Sequence, residues 1–260
     1  MGLFMDEDEH KEELNYWENY FVSVCPVCKG AREILNNQGG VDGCDCVRRA
    51  HIYANLITNG VPRTFIDWKW NNCDKADPIT LQQCKEYVLN FDNNFKNCQG
   101  MYIFGTQGVG KTTLATLIAK YVAFKKNPYK RNRRYQVAFA SYDKLIIWDK
   151  NTFNIDMQQK LNTFINKAEL AVIDNVGGEL ITPATVKLLD RIIRERRNNG
   201  YPTIITANFT LSEMQKHYGD AIKDFISQSF NQMPVIGENI RANDNFNDVL
   251  SGIEDLGDDN

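Results

Sequence analysis

What this 260-residue chain lacks narrows what it can be. No apolar run approaches the roughly 18 residues of a bilayer-crossing helix, so no membrane association is expected. The first residues, Met-Gly-Leu-Phe-Met-Asp-Glu-Asp-Glu, lack the basic and long apolar regions of a secretion signal. A cytoplasmic location is therefore expected. The formal net charge of −3 gives no global pull toward nucleic acid, so any such contact must come from local patches. The seven cysteines are an odd number, which argues against a disulfide framework in a reducing compartment. The remaining composition, 43 % hydrophobic and 24 % charged, suits a globular fold. The length leaves room for one domain of ordinary size plus a small appendage.

The most informative stretch is Met-Tyr-Ile-Phe-Gly-Thr-Gln-Gly-Val-Gly-Lys-Thr-Thr, residues 101–113. Met101 to Phe104 has the length of a buried strand. Gly105, Gly110, Lys111 and Thr112 complete G-x-x-x-x-G-K-[ST], the phosphate-binding P-loop. Across Gly105, Gln107, Gly108, Val109 and Gly110 the backbone can turn where a Cβ would clash, and consecutive N–H groups then form a nest for phosphate oxygens. Lys111 can reach the β- and γ-phosphates of ATP, and the Thr112 hydroxyl can ligate Mg²⁺. Thr113 continues into a helix whose Leu114, Leu117, Ile118 and Val122 recur at helical spacing, adding a positive N-terminal dipole. The bland alternative is a chance match in a glycine-rich turn; the strand before and the helix after argue against it.

Upstream, Cys25-Pro-Val-Cys28 is followed after fifteen residues by Cys44-Asp-Cys46. Two close cysteine pairs at this separation suggest a Zn²⁺ site, each pair offering two thiolates from one tight turn. Zinc would organise a segment too small to bury its own core. The alternative is four reduced, buried cysteines in a small fold. His51 reads as a surface or packing residue, and Cys73, Cys84 and Cys98 as core. The acidic stretch 6–20, with Leu14, Tyr16, Trp17 and Tyr20, suits a helix that packs on its own domain or docks a partner.

Helices are expected over 47–56, 78–96, 144–148, 157–168 and 183–197. Between Phe124 and Tyr135 six of ten residues are basic: Lys125, Lys126, Lys130, Arg131, Arg133 and Arg134. With Tyr129 among them, this suits either a single-strand-binding loop or a solvated basic loop. Val137 to Ser141 is a candidate strand. Leu170-Ala-Val-Ile-Asp174 reads as a buried parallel strand delivering a carboxylate to its C-terminal edge, where open α/β sheets bind ligands. Asp174 would hold Mg²⁺ opposite Thr112. Pro202 to Asn208 is another buried strand, and Asn208 could orient a water or touch the γ-phosphate. The tail from Asn243 is acidic and reads as disordered.

These motifs in this order resemble an AAA+ ATPase. Residues 25–241 resemble the DnaC/DnaI-type replicative-helicase loaders, and more loosely the IstB transposition helpers. The resemblance rests on the cysteine pairs, Val61-Pro-Arg-Thr-Phe65, the P-loop, Val172-Ile-Asp-Asn-Val-Gly-Gly-Glu179, Thr203 to Asn208, Tyr218-Gly-Asp220 and Gly237-Glu-Asn-Ile-Arg241. A phage-encoded loader fits the compact size. The resemblance implies an α/β fold with a parallel sheet flanked by helices, ATP binding and self-association. It also implies contact with a DnaB-type hexameric helicase and placement of that helicase on single-stranded DNA. By position it gives Lys111 and Thr112 the Walker A role, Asp174 the Walker B role, Asn208 the sensor-1 role and Arg241 the sensor-2 role. Two departures stand out. The family's second acid after the Walker B aspartate is Asn175 here, and an amide cannot take a proton as a carboxylate does. The stretch after Tyr218-Gly219 that carries the family's arginine finger aligns Phe225. Both imply nucleotide binding with weak hydrolysis. The expected domains are a zinc-binding, partner-docking domain over 1–58, an AAA+ domain over 59–246 and an acidic tail over 247–260.

Overall fold

The computed structural model describes all residues except 1, 2, 5, 6, 37, 38, 74, 75, 131, 132 and 237–260. Helix α1 (Glu7–Val22) is followed by a hairpin of β1 (Glu33–Leu35) and β2 (Val41–Gly43), then by α2 (Asp45–Thr58). Two short 3₁₀ turns, Arg63–Phe65 and Trp70–Cys73, lead to α3 (Pro78–Leu89) and α4 (Phe91–Lys96). The expected single helix over 78–96 is thus two, broken at Asn90, which caps the first by bonding back to the carbonyls of Glu86 and Val88. Strand β3 (Gly100–Phe104) and helix α5 (Lys111–Phe124) flank the P-loop. Then come β4 (Val137–Ser141), α6 (Tyr142–Lys150), α7 (Ile155–Asn166), β5 (Leu170–Val176), α8 (Pro183–Asn198) and β6 (Thr203–Ala207). The described chain ends with α9 (Leu211–Tyr218), α10 (Asp220–Ser229) and β7 (Phe230–Pro234).

Strands β3 to β7 form one parallel sheet in the order β4-β5-β6-β3-β7. Both faces are covered, which is why β3, β4 and the first four residues of β5 read as nearly continuous apolar runs rather than alternating ones. One buried cluster joins Met101, Ile103, Val137, Val172 and Ile204 of the sheet to Leu114, Leu117 and Ile118 of α5. The same cluster contains Trp17 of α1 and Ala50, Ala54 and Leu56 of α2, so the N-terminal helices share the core that supports the P-loop helix. On the other face Tyr102, Ile173 and Ile205 meet Leu145, Phe164, Leu189, Ile192 and Ile226 from α6, α7, α8 and α10.

Local chemistry places these elements. Helix α8 starts on a reciprocal Thr182–Thr185 capping box with Pro183 in its first turn, and α9 on a Thr210–Glu213 box. The outer edge of β4 is covered by the chain leaving α2: Phe139 N–H donates to Asn59 O at 2.9 Å, and Asn59 Nδ2 to Val137 O at 2.9 Å. Gly60 makes this approach possible, since a Cβ there would lie 2.2 Å from Phe139 O. Arg196 is fully buried and donates to Thr203 Oγ1 and to the carbonyls of Phe164, Ile165, Ala168 and Pro202 at 2.6–3.3 Å. That set of acceptors stands in for a counter-ion and ties α8 to the ends of α7 and β6. Among the described residues, no helix is long and apolar enough to cross a membrane.

Candidate nucleotide site and cysteine cluster

The P-loop sits at the C-terminal edge of β3, between β6 and β7 in the sheet. Gly105 could carry no side chain, because a Cβ would lie 2.3 Å from Val235 O. Gly108 and Gly110 take φ of 87° and 93°, in the left-handed region that favours glycine. Gly110 is the N-cap of α5, so the helix starts directly under the loop. Val109 is buried beneath the turn and Thr113 is buried in the first turn of α5, while Gln107 is exposed at the loop tip. Lys111 donates to Gly105 O at 2.8 Å and Thr106 O at 2.7 Å, which holds its ammonium inside the curve of the loop.

Thr112 and Asp174, 62 residues apart in sequence, meet at this edge: the hydroxyl donates to Oδ1 at 3.0 Å and lies 3.2 Å from Oδ2. Asp174 ends the apolar run of β5 and is largely buried. The pairing of β5 with β6 is interrupted by a bulge between Ile173 and Val176. Within the bulge Asn175 has φ of 62°, a left-handed conformation that asparagine tolerates better than most residues. Its N–H bonds Thr206 Oγ1 at 2.9 Å, and Thr206 Oγ1 donates to Asp174 Oδ1 at 2.6 Å. Asn208, just past β6, places Nδ2 3.5 Å from Asn175 Oδ1. So Lys111, Thr112, Asp174, Asn175 and Asn208 are gathered at one edge of the sheet. Arg241 lies outside the described residues.

Two further residues take part in this neighbourhood without a role assigned to them from the sequence. Thr206 is one; its signal is a hydroxyl inside the buried apolar strand Thr203-Ile-Ile-Thr-Ala207. Tyr218 is the other: its hydroxyl donates to Glu179, whose second oxygen accepts the Gly177 N–H at 2.8 Å. Burial, and then the Glu179 carboxylate, push the Tyr218 phenol well above its usual range. Glu179 is thus engaged by the loop after β5. Phe225 lies at the opposite end of the sheet from the P-loop, beside Gly100, Thr203 and Phe230 at the starts of β3, β6 and β7. The Arg194 guanidinium carbon lies 4.8 Å from the Phe225 ring centre.

The donor set fits a magnesium nucleotide. It offers an ammonium and a glycine-rich nest for phosphates, with a hydroxyl and a carboxylate side by side for a hard cation. The four cysteines fit zinc equally well. The sulfurs of Cys25, Cys28, Cys44 and Cys46 all lie within 4.8 Å of one another. Cys25–Cys44 is 3.7 Å and Cys28–Cys46 3.5 Å, close to the roughly 3.8 Å edge of a tetrahedron with about 2.3 Å Zn–S bonds. Lys29 and Gly30 turn the first pair at φ of 50° and 89°, and the hairpin β1–β2 brings in the second. Cys44 is the N-cap of α2, and Cys46 lies in its first turn. Burial alone would raise the Cys28 thiol; hydrogen bonds from Cys46 and from the backbone at Arg32 and Gly30 bring it below the ordinary thiol value, while burial and the same Cys28 contact push Cys46 up. His51 is exposed, and Cys73 and Cys84 are buried.

The basic segment is anchored from inside. Lys125 donates to the carbonyls of Val88 and Leu89 at 3.1 and 2.9 Å. Lys130 and Arg133 each pair with Glu169 at 2.8 Å, and Tyr129 stacks on Phe95 with ring centres 6.0 Å apart. Arg131 lies outside the described residues.

Residues 46–245 match the model of a family described as IstB-like ATP binding protein. The replicative helicase loader DnaI of Bacillus subtilis (strain 168) is 25 % identical over 149 residues, 56 % of this chain and 45 % of that protein. The replicative helicase loader DnaC of Escherichia coli (strain K12) is 26 % identical over 148 residues, 55 % of each chain. The chain therefore matches these curated relatives over about half of their length. Among solved structures, that of the DnaC helicase loader superimposes with a TM-score of 0.56 at 21 % identity, covering 67 % of this chain and 100 % of that one. At that identity the likeness establishes a common fold.

Proposed function

The chain belongs to the IstB-like ATP-binding protein family, and from that premise we propose that it is an ATP-binding helicase loader, with ATP as an assembly switch and weak hydrolysis. In this reading it helps place a DnaB-type replicative helicase on single-stranded DNA, acts in the cytoplasm and self-associates through its ATP-binding domain. The observation that carries the nucleotide part is the meeting of Thr112 and Asp174 beside the P-loop. The helicase and DNA part draws on two relatives whose names say replicative helicase loader.

Each side chain has a stated task. Backbone N–H groups of 105–110 and the Lys111 ammonium take the phosphates once Lys111 leaves the carbonyls of Gly105 and Thr106. Thr112 and Asp174 hold the cation side. Bound Mg²⁺ supplies neutralisation of charge on the β- and γ-phosphates. Asn208 positions a water or the γ-phosphate, and Arg241 has the sensor-2 task. Asn175 stands where proton acceptance is needed and cannot provide it, so the site holds its ligand longer than it cleaves it. Cys25, Cys28, Cys44 and Cys46 hold one structural Zn²⁺, which keeps the segment 25–46 folded between α1 and α2 for docking a partner.

The competing reading is an IstB-like transposition helper or a DNA-stimulated motor, and the family model's own description favours considering it. Asn175 weighs against a motor, which needs rapid turnover. A pull-down with the purified cognate replicative helicase, with and without ATP, separates them. ATP-dependent capture is expected. No capture in either condition, with ATPase activity that rises on DNA, would overturn the loader reading.

A further inference from the structure

The bulge in β5 creates a problem that a single side chain solves. Two residues of β5, Asp174 and Asn175, stand opposite Thr206 between the paired positions Ile173–Ile205 and Val176–Ala207. A bulge removes ladder acceptors, so the Asn175 N–H would be left without one. Thr206 Oγ1 accepts it at 2.9 Å. That bond occupies the oxygen and directs the hydroxyl proton to the other neighbour, Asp174 Oδ1, at 2.6 Å. Thr206 is only 1 % exposed, so water does not substitute for it.

The geometry points to Thr206 as a positioning residue: it fixes the Asp174 carboxylate toward Thr112 and sets the bulge that presents Asn175, and so governs how tightly the site takes Mg²⁺. The inference rests on the proposed nucleotide site. When Thr112 turns its hydroxyl oxygen toward a cation, its bonds to Asp174 are given up. The Thr206 bond then remains to orient the carboxylate. The effect is an outer-partner effect on a ligating carboxylate, for which a 10- to 100-fold loss of metal affinity is typical. The chain's own strand sequence supports the assignment: a valine would fill the same space in this apolar strand without the hydroxyl.

The test is a Mg²⁺ titration of fluorescent-ATP binding on the full chain, for the unmodified protein, Thr206→Val and Thr206→Ser. Thr206→Val should raise the half-saturating Mg²⁺ by about tenfold or more while leaving affinity in excess EDTA unchanged. Thr206→Ser should restore the unmodified curve. Hydrogen exchange supplies an independent readout: the Asn175 amide should lose protection in the valine variant and keep it in the serine variant. Should the valine chain fail to fold, Thr206→Ala carries the same comparison. A Mg²⁺ curve unchanged in the valine or alanine variant overturns the inference and leaves the nucleotide site standing. An equal loss with and without Mg²⁺ also overturns it. An unmodified protein that binds no nucleotide under any condition overturns the site reading itself.

Discussion

Arg133 and Glu169 are paired at 2.8 Å, and the carboxylate has no accessible surface. Lys130 at 2.8 Å, Asn127 Nδ2 at 3.1 Å and the Gln136 N–H at 2.9 Å are its other partners among the described residues. The basic segment after α5 is therefore closed around a buried anion, and a good part of its charge is structural rather than offered outward.

That arrangement decides which arginines can be tested for DNA binding. Arg133→Ala strips a partner from a buried carboxylate and should cost about 1–2 kcal/mol in urea unfolding, less than the loss of a fully buried partner because the guanidinium is part-exposed. The combined variant Lys126→Ala, Arg131→Ala, Arg134→Ala leaves Glu169 with the partners named above. If the segment binds single-stranded DNA, this variant should weaken binding and flatten the salt dependence by about 0.7 in log–log slope for each phosphate that is no longer neutralised. Unchanged affinity and slope would make the segment a solvated, internally braced loop.

The zinc reading gives a second expectation. Elemental analysis should find one zinc per chain, and Cys28→Ser should lower it. Removal by a chelator should expose 25–46 to hydrogen exchange, because among the described residues the cluster buries little beside the cysteines: Val22 fully, and Phe21, Ile34 and Val47 in part. Trp17 and Leu56 are instead held in the main core with α5, so α1 and α2 should keep protection and ATP affinity should change little. Metal-free protein at full stability would remove the zinc assignment.

The nucleotide site was the most legible part of the sequence, because a P-loop needs its residues at fixed spacing and its strand and helix on either side. Asp174 was readable as the polar end of an apolar run. Thr206 and the bulge were not, since a bulge is a property of pairing between strands some 30 residues apart. The anchoring of the basic segment was hidden for the same reason: Glu169 follows it by 35 residues and looks like any surface acid. Strands β1 and β2 are three residues each and take their shape from the cysteine turns, not from periodicity. Strand β7 escaped because Asn231 and Gln232 sit exposed in its middle, so no apolar run marks it.

Lys120 supplies a pH dependence. It is buried on α5 and donates to Ile66 O at 3.0 Å and to Trp68 O, tying the segment between α2 and α3 to the P-loop helix. Burial lowers its pKa from 10.5 to about 8, against the opposing pull of Asp67. The unfolded chain therefore binds the proton more tightly, and charging Lys120 opposes folding. This penalty is fully present below pH about 8 and is relieved as pH rises toward the unfolded value. Unfolding free energy should thus rise by about 2 kcal/mol from pH about 8 to about 9.5, relative to Lys120→Met measured in parallel. Parallel curves for the two proteins would show that Lys120 keeps an ordinary affinity for its proton.

The last prediction concerns turnover. Hydrolysis needs a base beside the attacking water, and the position after Asp174 carries an amide in a left-handed backbone conformation, φ 62°. Asparagine and aspartate accept that conformation readily; for glutamate it costs about 1 kcal/mol. A longer side chain is also crowded: a Cβ at Gly178 would lie 2.2 Å from Asn175 Nδ2, so the loop already folds closely over this residue. Asn175→Asp should therefore raise steady-state ATP turnover by about 100-fold, the lower end of what a general base contributes. Asn175→Glu should gain less and lower the melting temperature, although an acid at this position is what the resemblance implies. Neither should reach motor rates if, as the resemblance implies, the arginine-finger position after Tyr218-Gly219 is the one that carries Phe225. Phosphate release by the unmodified protein should stay below about 1 s⁻¹, the low end of typical enzyme rates. Turnover at or above that rate, or no gain in Asn175→Asp, would mean that a group other than residue 175 accepts the proton. Glu179 would then be the carboxylate to test, by freeing it from its phenol partner with Tyr218→Phe.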